Sequence, residues 1–459
     1  MNFTELTEIL PKASSKNLLH EINVLNSQLN RSIVVLDDDP TGTQTVYDLP
    51  VLTTWEVSAI EAEFVNETPV FYILTNSRSL VEAKAVDLAK EIKQNLNRAS
   101  QITGRKYQVI SRGDSTLRGH FPKEVYPFKD GKSITILAPA FFEGGRYTIN
   151  DIHYVRENEE LIPAAETPFA KDKAFGYSNS NLQKWIVEKS KGEIPLEKIK
   201  SISIQDIREG GKENVFRKLS TFNSGDYVVV NAFSYKDLEV VVLGLLNAEM
   251  EGKKFVFRTA ASIVKVFAGL ETKPLLNKKS LNIGNTGGNL IIFGSYVPKS
   301  TAQLGFLKND KQFTFLEIDV PTVLAPENGN YLQEVIGKCN LFLKENKTVI
   351  VHTSRELVAG KDESESLNIG NRISEFLVQI VRNLSEKPRY VLAKGGITSS
   401  DVATKGLGIR RAKVLGQIIP GVPVWEQGTE SKFPQVPYIV FPGNVGGNDA
   451  ISNVIKSLK

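Results

Sequence analysis

The sequence predicts an α/β protein of two domains, each a mainly parallel sheet with flanking helices. Three observations predict the domain class. The chain has 459 residues, more than one hydrophobic core normally serves. Short continuous apolar runs recur along it, as in strands buried on both faces. Amphipathic stretches separate these runs, the alternation of a parallel sheet with crossover helices.

From the amino end, "MNFTELTEILPKASSKNLLHEI" is acidic and amphipathic, with no basic cap before an apolar core. That argues against a signal peptide. "SIVVL" (32–36), "VFYIL" (70–74), "YQVI" (107–110) and "SITILA" (133–138) read as strands. Between the second and third, Val81, Ala85, Leu88, Ala89, Ile92 and Leu96 share one helical stripe. Residues 143–182 are polar and turn-rich and read as loop, a candidate lid or substrate rim. Further strands follow at 199–204, 226–233 and 254–259. The stretch 270–288, rich in Lys, Asn and Gly, reads as the domain crossing. This divides the chain into two domains, 1–275 and 285–459. Strand runs then restart at 289–294, 313–319, 348–354, 389–396 and 438–444, with a helical pattern at 372–384.

Composition narrows the function. Hydrophobic residues make up 41% and charged residues 24%, the balance of a soluble globular protein. The net charge of +4 is too weak for a nucleic-acid surface, though mild basicity suits an enzyme of anionic metabolites. Cys339 stands alone, so no disulfide forms within the chain, and one cysteine with four histidines makes a poor zinc set. No metal site is expected in the protein itself. No run approaches about 18 consecutive apolar residues, so no membrane span is expected. The expected setting is the cytoplasm, with no nucleic-acid or membrane partner; a homodimer is left open as the assembly.

The chemistry gathers at strand ends, where open α/β sheets bind ligands. "VVLDDDPTGT" places Asp37, Asp38 and Asp39 at the end of a buried strand. Capping a turn accounts for one carboxylate, not three. "SRGDSTLRGHFP" (111–122) offers Asp114, Ser115, Thr116 and Arg118, a set matched to the hydroxyls and carboxylate of a sugar acid. "ILTNSRSL" (73–80) adds Arg78, and "APAFFEGGRYTINDIHY" (138–154) adds Glu143 and Arg146. In the second half, "FGSYVPKST" (293–301), "KGGITSSD" (394–401) and "PGNVGGNDA" (442–450) are glycine turns leading toward helices. Such turns let backbone approach phosphate. The Walker A pattern and the protein-kinase motif set are both missing.

These blocks, in this order, resemble the four-carbon acid sugar kinase family, whose relatives act on threonate, erythronate and oxo-tetronate type substrates. The resemblance runs nearly end to end and also rests on "TPFAKDKAFGY" (167–177), "RTAAS" (258–262) and "PGVP" (420–423). It implies that 1–275 is a sugar-acid substrate domain and 285–459 a nucleotide domain, with the active site in the cleft between them. It also implies an acidic pair at Asp38 and Asp39, and an acid-sugar loop at Asp114, Ser115 and Arg118. ATP contacts would lie at Ser295, at the turn Gly395, Gly396, Ile397 and Thr398, and at Gly443. The chain departs from the family pattern at Ile397, usually Asp or Glu; at Phe441, often Lys; and at Arg112, commonly Lys.

The expected activity is ATP-dependent phosphorylation of a hydroxyl on a small sugar acid, with Mg²⁺ travelling with ATP. Asp38 or Asp39 would accept the hydroxyl proton. Arg118 would orient the carboxylate, with Arg78 and Arg146 at the same edge. Two alternatives stand beside this. A non-catalytic sugar-acid-binding regulator on the same fold would account for Ile397. A haloacid dehalogenase-like phosphatase would use Asp37 as nucleophile and Asp39 as acid/base. The latter also needs a late acidic pair, and no second carboxylate follows Asp114 within a few positions.

Overall fold

A computed structural model describes residues 2–294, 297–325, 329–355, 363–443 and 445–459, with 363–367 as backbone only. The chain forms two compact units: residues 1–46 with 54–272, and residues 47–53 with 273–459. The second unit thus takes in a short segment from early in the chain, which the division at 275 and 285 does not contain.

In the first unit, seven parallel strands run in the order Val70–Leu74, Arg31–Asp37, Lys106–Arg112, Lys254–Thr259, Ser133–Ala138, Tyr227–Val230, Ile199–Ile202. Every residue of Arg31–Asp37 is buried, as a central strand covered on both faces must be. Helix Glu82–Thr103 buries Ala85, Ala89, Ile92, Leu96 and Ala99 and ends at Gly104, whose φ of 72° suits a left-handed cap. Val81 sits outside its first turn and is exposed. Helix Tyr235–Met250 is closed at its start by a Ser234–Asp237 capping box.

The segment expected to be loop carries structure. Arg146–Ile149, Ile152–Glu157 and Glu160–Pro163 form an antiparallel sheet over Leu6, Tyr147, Ile149, Tyr154, Leu161, Ile204 and Phe233. Asn150 and Asp151 both adopt positive φ (50° and 61°), so this polar pair makes a tight hairpin turn. Short strands joined by polar turns gave the segment its loop-like composition.

In the second unit the order is Phe313–Ile318, Thr348–Thr353, Asn289–Phe293, Val391–Lys394, Pro437–Phe441, Val422–Gln427, Arg411–Ile419, Pro50–Leu52. The first five are parallel and the remainder antiparallel. The hairpin 411–427 has no counterpart in the strands expected from sequence. The core includes Ile291, Phe293, Leu304, Ile350, Leu392, Ile439, Phe441, Ile451 and Ile455. Among the described residues, no helix is long and apolar enough to cross a membrane.

Candidate functional site

Register brings the first unit's polar loops together. Asp37 pairs with Leu74 on one side and Arg112 on the other, and Thr259 pairs with Arg112 and Ala138. The loops that begin at residues 38, 75, 113, 139 and 260 therefore leave the sheet side by side.

Asp37 is buried, with Oδ1 3.3 Å from Arg112 Nη1. Burial pushes its carboxyl up to about 8, against the pull of Arg112, and Asp38 and Asp39 add to the rise. A side chain at Gly42 would overlap the Asp37 carboxyl, so the Pro-Thr-Gly turn closes over it. Burial and the Gly42 turn both work against Asp37 as an exposed, ionised nucleophile.

Asp38, Asp39 and Asp114 gather around Arg78. Its Nη2 bonds Asp39 Oδ2, while Nη1 lies 3.2 Å from Asp114 Oδ1 and 3.8 Å from Asp38 Oδ1. Asp39 Oδ1 also accepts from Thr41 N at 2.9 Å and Thr41 Oγ1 at 2.5 Å. Burial alone would raise Asp39; Arg78 and Thr41 outweigh it and hold the carboxyl low. Asp114 is held low against burial by Arg118, Arg78 and Thr116. Arg118 meets Asp114 at two points, Nε to Oδ2 at 2.9 Å and Nη2 to Oδ1 at 3.3 Å. Asp38 differs from both. Its Oδ1 is buried with no hydrogen-bond partner, and the nearest Arg112 nitrogen is 3.7 Å away.

Arg146 bonds the Gly144 carbonyl through Nη1, but its buried Nε has no partner. Arg118 and Arg146 both approach Phe169, their guanidinium carbons 5.3 and 5.6 Å from the ring centroid. Ser115 is fixed through its backbone: His153 Nε2 donates to its carbonyl at 2.7 Å. Burial pushes His153 down to about 4, so it is neutral at physiological pH, and Nδ1 accepts from Thr148 Oγ1 at 3.0 Å.

Sequence reasoning overlooked two buried groups here. Arg258 donates to the Thr259 and Arg118 carbonyls at 3.1 and 2.9 Å, and side chains at Gly113 and Gly119 would press on it. Glu124, pushed up to about 7 by burial, accepts from Ser77 Oγ at 2.5 Å. The "RTAAS" block contained the first of these; nothing local marked the second.

In the second unit, Phe293, Lys394 and Phe441 stand in register at the ends of three adjacent parallel strands. The three glycine turns therefore start next to one another. A side chain at Gly294 would overlap Thr398, and Gly395 has φ 112°, a region that favours glycine. Gln303 Nε2 ties down the last turn, donating to the Val445 and Gly447 carbonyls at 3.1 and 2.9 Å. Gly443 offers its carbonyl to Lys394 Nζ at 2.9 Å. Gly396 opens the short helix Gly396–Asp401, Thr398 is buried within it, and Ile397 is 66% exposed. Ser295 lies outside the described residues. Among the described residues, no group of His, Cys, Asp and Glu could hold a metal ion.

Two family models match the chain. Residues 33–267 match a sugar-binding N-terminal domain model, and residues 290–451 match a nucleotide-binding C-terminal domain model. No curated protein matches the chain. Haemophilus influenzae protein HI1011, of the DUF1537 family, has a similar structure: TM-score 0.62, 16% identity, covering 93% of this chain and 100% of that one. A Salmonella typhimurium LT2 protein described as a tRNA synthase aligns with TM-score 0.66 and 16% identity, covering 93% and 99%. At this identity both likenesses speak for the fold alone. The matched pair of domains carries the assignment: the chain belongs to the DUF1537 family, whose sugar-binding and nucleotide-binding domains form the four-carbon acid sugar kinase architecture.

Proposed function

We propose that the protein transfers the γ-phosphoryl group of ATP to a hydroxyl of a small, four-carbon sugar acid. The sugar acid would be held by the domain within residues 1–275 and ATP by the domain within 285–459. The observation that carries the chemical part is the unequal state of the clustered acids. Asp37 is covered by the Gly42 turn and held against Arg112, and Asp39 and Asp114 are engaged by arginines and hydroxyls. Asp38 alone of the four keeps a buried oxygen without a hydrogen-bond partner.

In this reading the substrate hydroxyl donates to Asp38 Oδ1. Its oxygen attacks the γ-phosphorus, its proton passes to Asp38, and ADP leaves with the bridging oxygen. Such base catalysis is worth about 10²–10⁴-fold in rate. Arg146, with its unpartnered Nε, receives the sugar-acid carboxylate. Arg118 and Arg78 set the position of Asp114 and Asp39, and Asp114 and Ser115 take further hydroxyls. The turns at Gly395, Gly396, Ile397, Thr398 and Gly443, together with Ser295, take the nucleotide. Mg²⁺ would travel with the nucleotide, and no step is assigned to it.

The test is ADP release by the full chain over a panel of four- to six-carbon aldonates. Turnover with a four-carbon acid, lost in Asp38→Asn, is the expected result. If sugar acids stabilise the protein but no ADP forms with any of them, the chain is a binding protein and the transfer reading fails.

A further inference from the structure

The second unit buries a lysine among its glycine turns. Lys394 is the last residue of its strand and is fully buried, between Phe293 and Phe441 in register. Its Nζ donates to Pro442 O at 2.6 Å and Gly443 O at 2.9 Å, and stands 4.5 Å from the Phe441 ring centroid. Carbonyls and a ring face orient an ammonium group but do not neutralise it.

Among the described residues, no carboxylate pairs with Lys394. The charged groups on the elements around it are few. Asp401 is engaged by Ser374 at 2.5 Å and Lys405 at 2.8 Å. Asp449, before helix Ala450–Ser457, accepts from Asn453 at 2.8 Å, and Lys456 lies near the end of that helix. Lys299, on helix Pro298–Lys308, acts on Lys394 through space and repels it. Burial, with Lys299 adding to it, pushes Lys394 down to about 7.

A buried cation without a counter-charge is costly. Here it grips one of the turns assigned to phosphate. We propose that Lys394 is a positioning residue of the nucleotide site: its ammonium anchors the 442–443 turn, and the phosphate chain of a bound nucleotide supplies the negative charge that the folded unit lacks. This rests on the nucleotide-transfer reading above. Near neutrality the unliganded amine is divided between its charged and neutral forms. Bound phosphate favours the charged form, so binding draws a proton from solvent, and affinity declines as the pH climbs.

Isothermal titration of the full chain with magnesium–ADP tests this, in buffers of different ionisation enthalpy and between about pH 6.5 and 9. Wild type should take up part of a proton near pH 8 and lose up to about tenfold in affinity per pH unit. Lys394→Arg, charged throughout, should bind with no uptake and a flat profile. Lys394→Met should bind more weakly and also without uptake. Proton uptake in both variants equal to wild type would overturn the role of Lys394, as would wild-type affinity in Lys394→Met. If Lys394→Met does not fold, the arginine variant decides by itself, because uptake must vanish there. Should wild type not bind magnesium–ADP at any pH, the nucleotide site itself is wrong and the proposal falls with it; binding without proton uptake overturns only the role of Lys394.

Discussion

Arg118 closes a two-point contact on Asp114, with Nε 2.9 Å from Oδ2 and Nη2 3.3 Å from Oδ1. The arginine that the motif nominates for a substrate carboxylate already holds one from the protein. Arg146 makes no ion pair among the described residues and keeps a buried Nε without a partner. Arg146→Ala should therefore raise KM for a four-carbon acid by about ten- to a hundredfold, the scale of a charge-assisted hydrogen bond worth about 1.5–3 kcal/mol. The matching neutral polyol should shift much less. Equal shifts for both would remove Arg146 from carboxylate recognition.

Asp38 and Asp39 are neighbours with different contacts. Asp38→Asn should lower kcat by about 10²–10⁴-fold while leaving KM close to wild type. Asp39→Asn strips Arg78 of its closest carboxylate. Breaking a largely buried pair of this kind costs about 3 kcal/mol, so the second variant should show a clear loss in denaturant titration. Wild-type turnover in Asp38→Asn would exclude it as the base.

Asp37 makes stability depend on pH in a defined direction. Its folded carboxyl titrates at about 8, above the ordinary 3.8. The native state therefore holds the proton longer than the unfolded chain does. Stability is at its fullest below about 4 for this group and falls as pH rises toward 8, by at most about 1.4 kcal/mol per pH unit. Glu124, at about 7, acts in the same sense. Denaturant titrations across this window should show the slope in wild type and a shallower one in Asp37→Asn. An unchanged slope would mean that Asp37 is ionised in the folded protein.

Gly42 leaves no room above Asp37. Gly42→Ala must displace the carboxyl or the turn, and overpacking of this sort costs about 1–3 kcal/mol. A lowered Tm together with reduced turnover is expected, since Asp38 and Asp39 stand on the same turn. A thermal melt matching wild type would show that the turn yields freely.

The central strands were readable because burial on both faces writes them as unbroken apolar runs, as in residues 31–37 and 70–74. Helix Glu82–Thr103 was placed by its stripe but extends past Leu96, where Ala99 is the remaining buried position. Arg411–Ile419 hid for a different reason. Its burial alternates along the strand, a period of two that a search for solid apolar runs passes over. In the candidate site, contiguous motifs nominated Asp38, Asp39, Asp114 and Arg146. Glu124 and the seat of Arg258 against Gly113 and Gly119 come from loops brought together only by the sheet register. Phe441 stands where the family often has a lysine; the Lys394 Nζ stands over its ring and reaches that turn from the adjacent strand.

The Pro50–Leu52 strand, hydrogen-bonded to residues 411–413 of the second unit, has a consequence for how the molecule can be divided. The polypeptide passes from one unit to the other at three places, so no single scission separates complete halves. A fragment starting at residue 285 would leave one of its own strands behind, and a protease nick in 273–285 would not free an intact carboxy-terminal body. Gene fusions or shuffling events that exchange only the carboxy-terminal half must supply a compatible 47–53 segment as well.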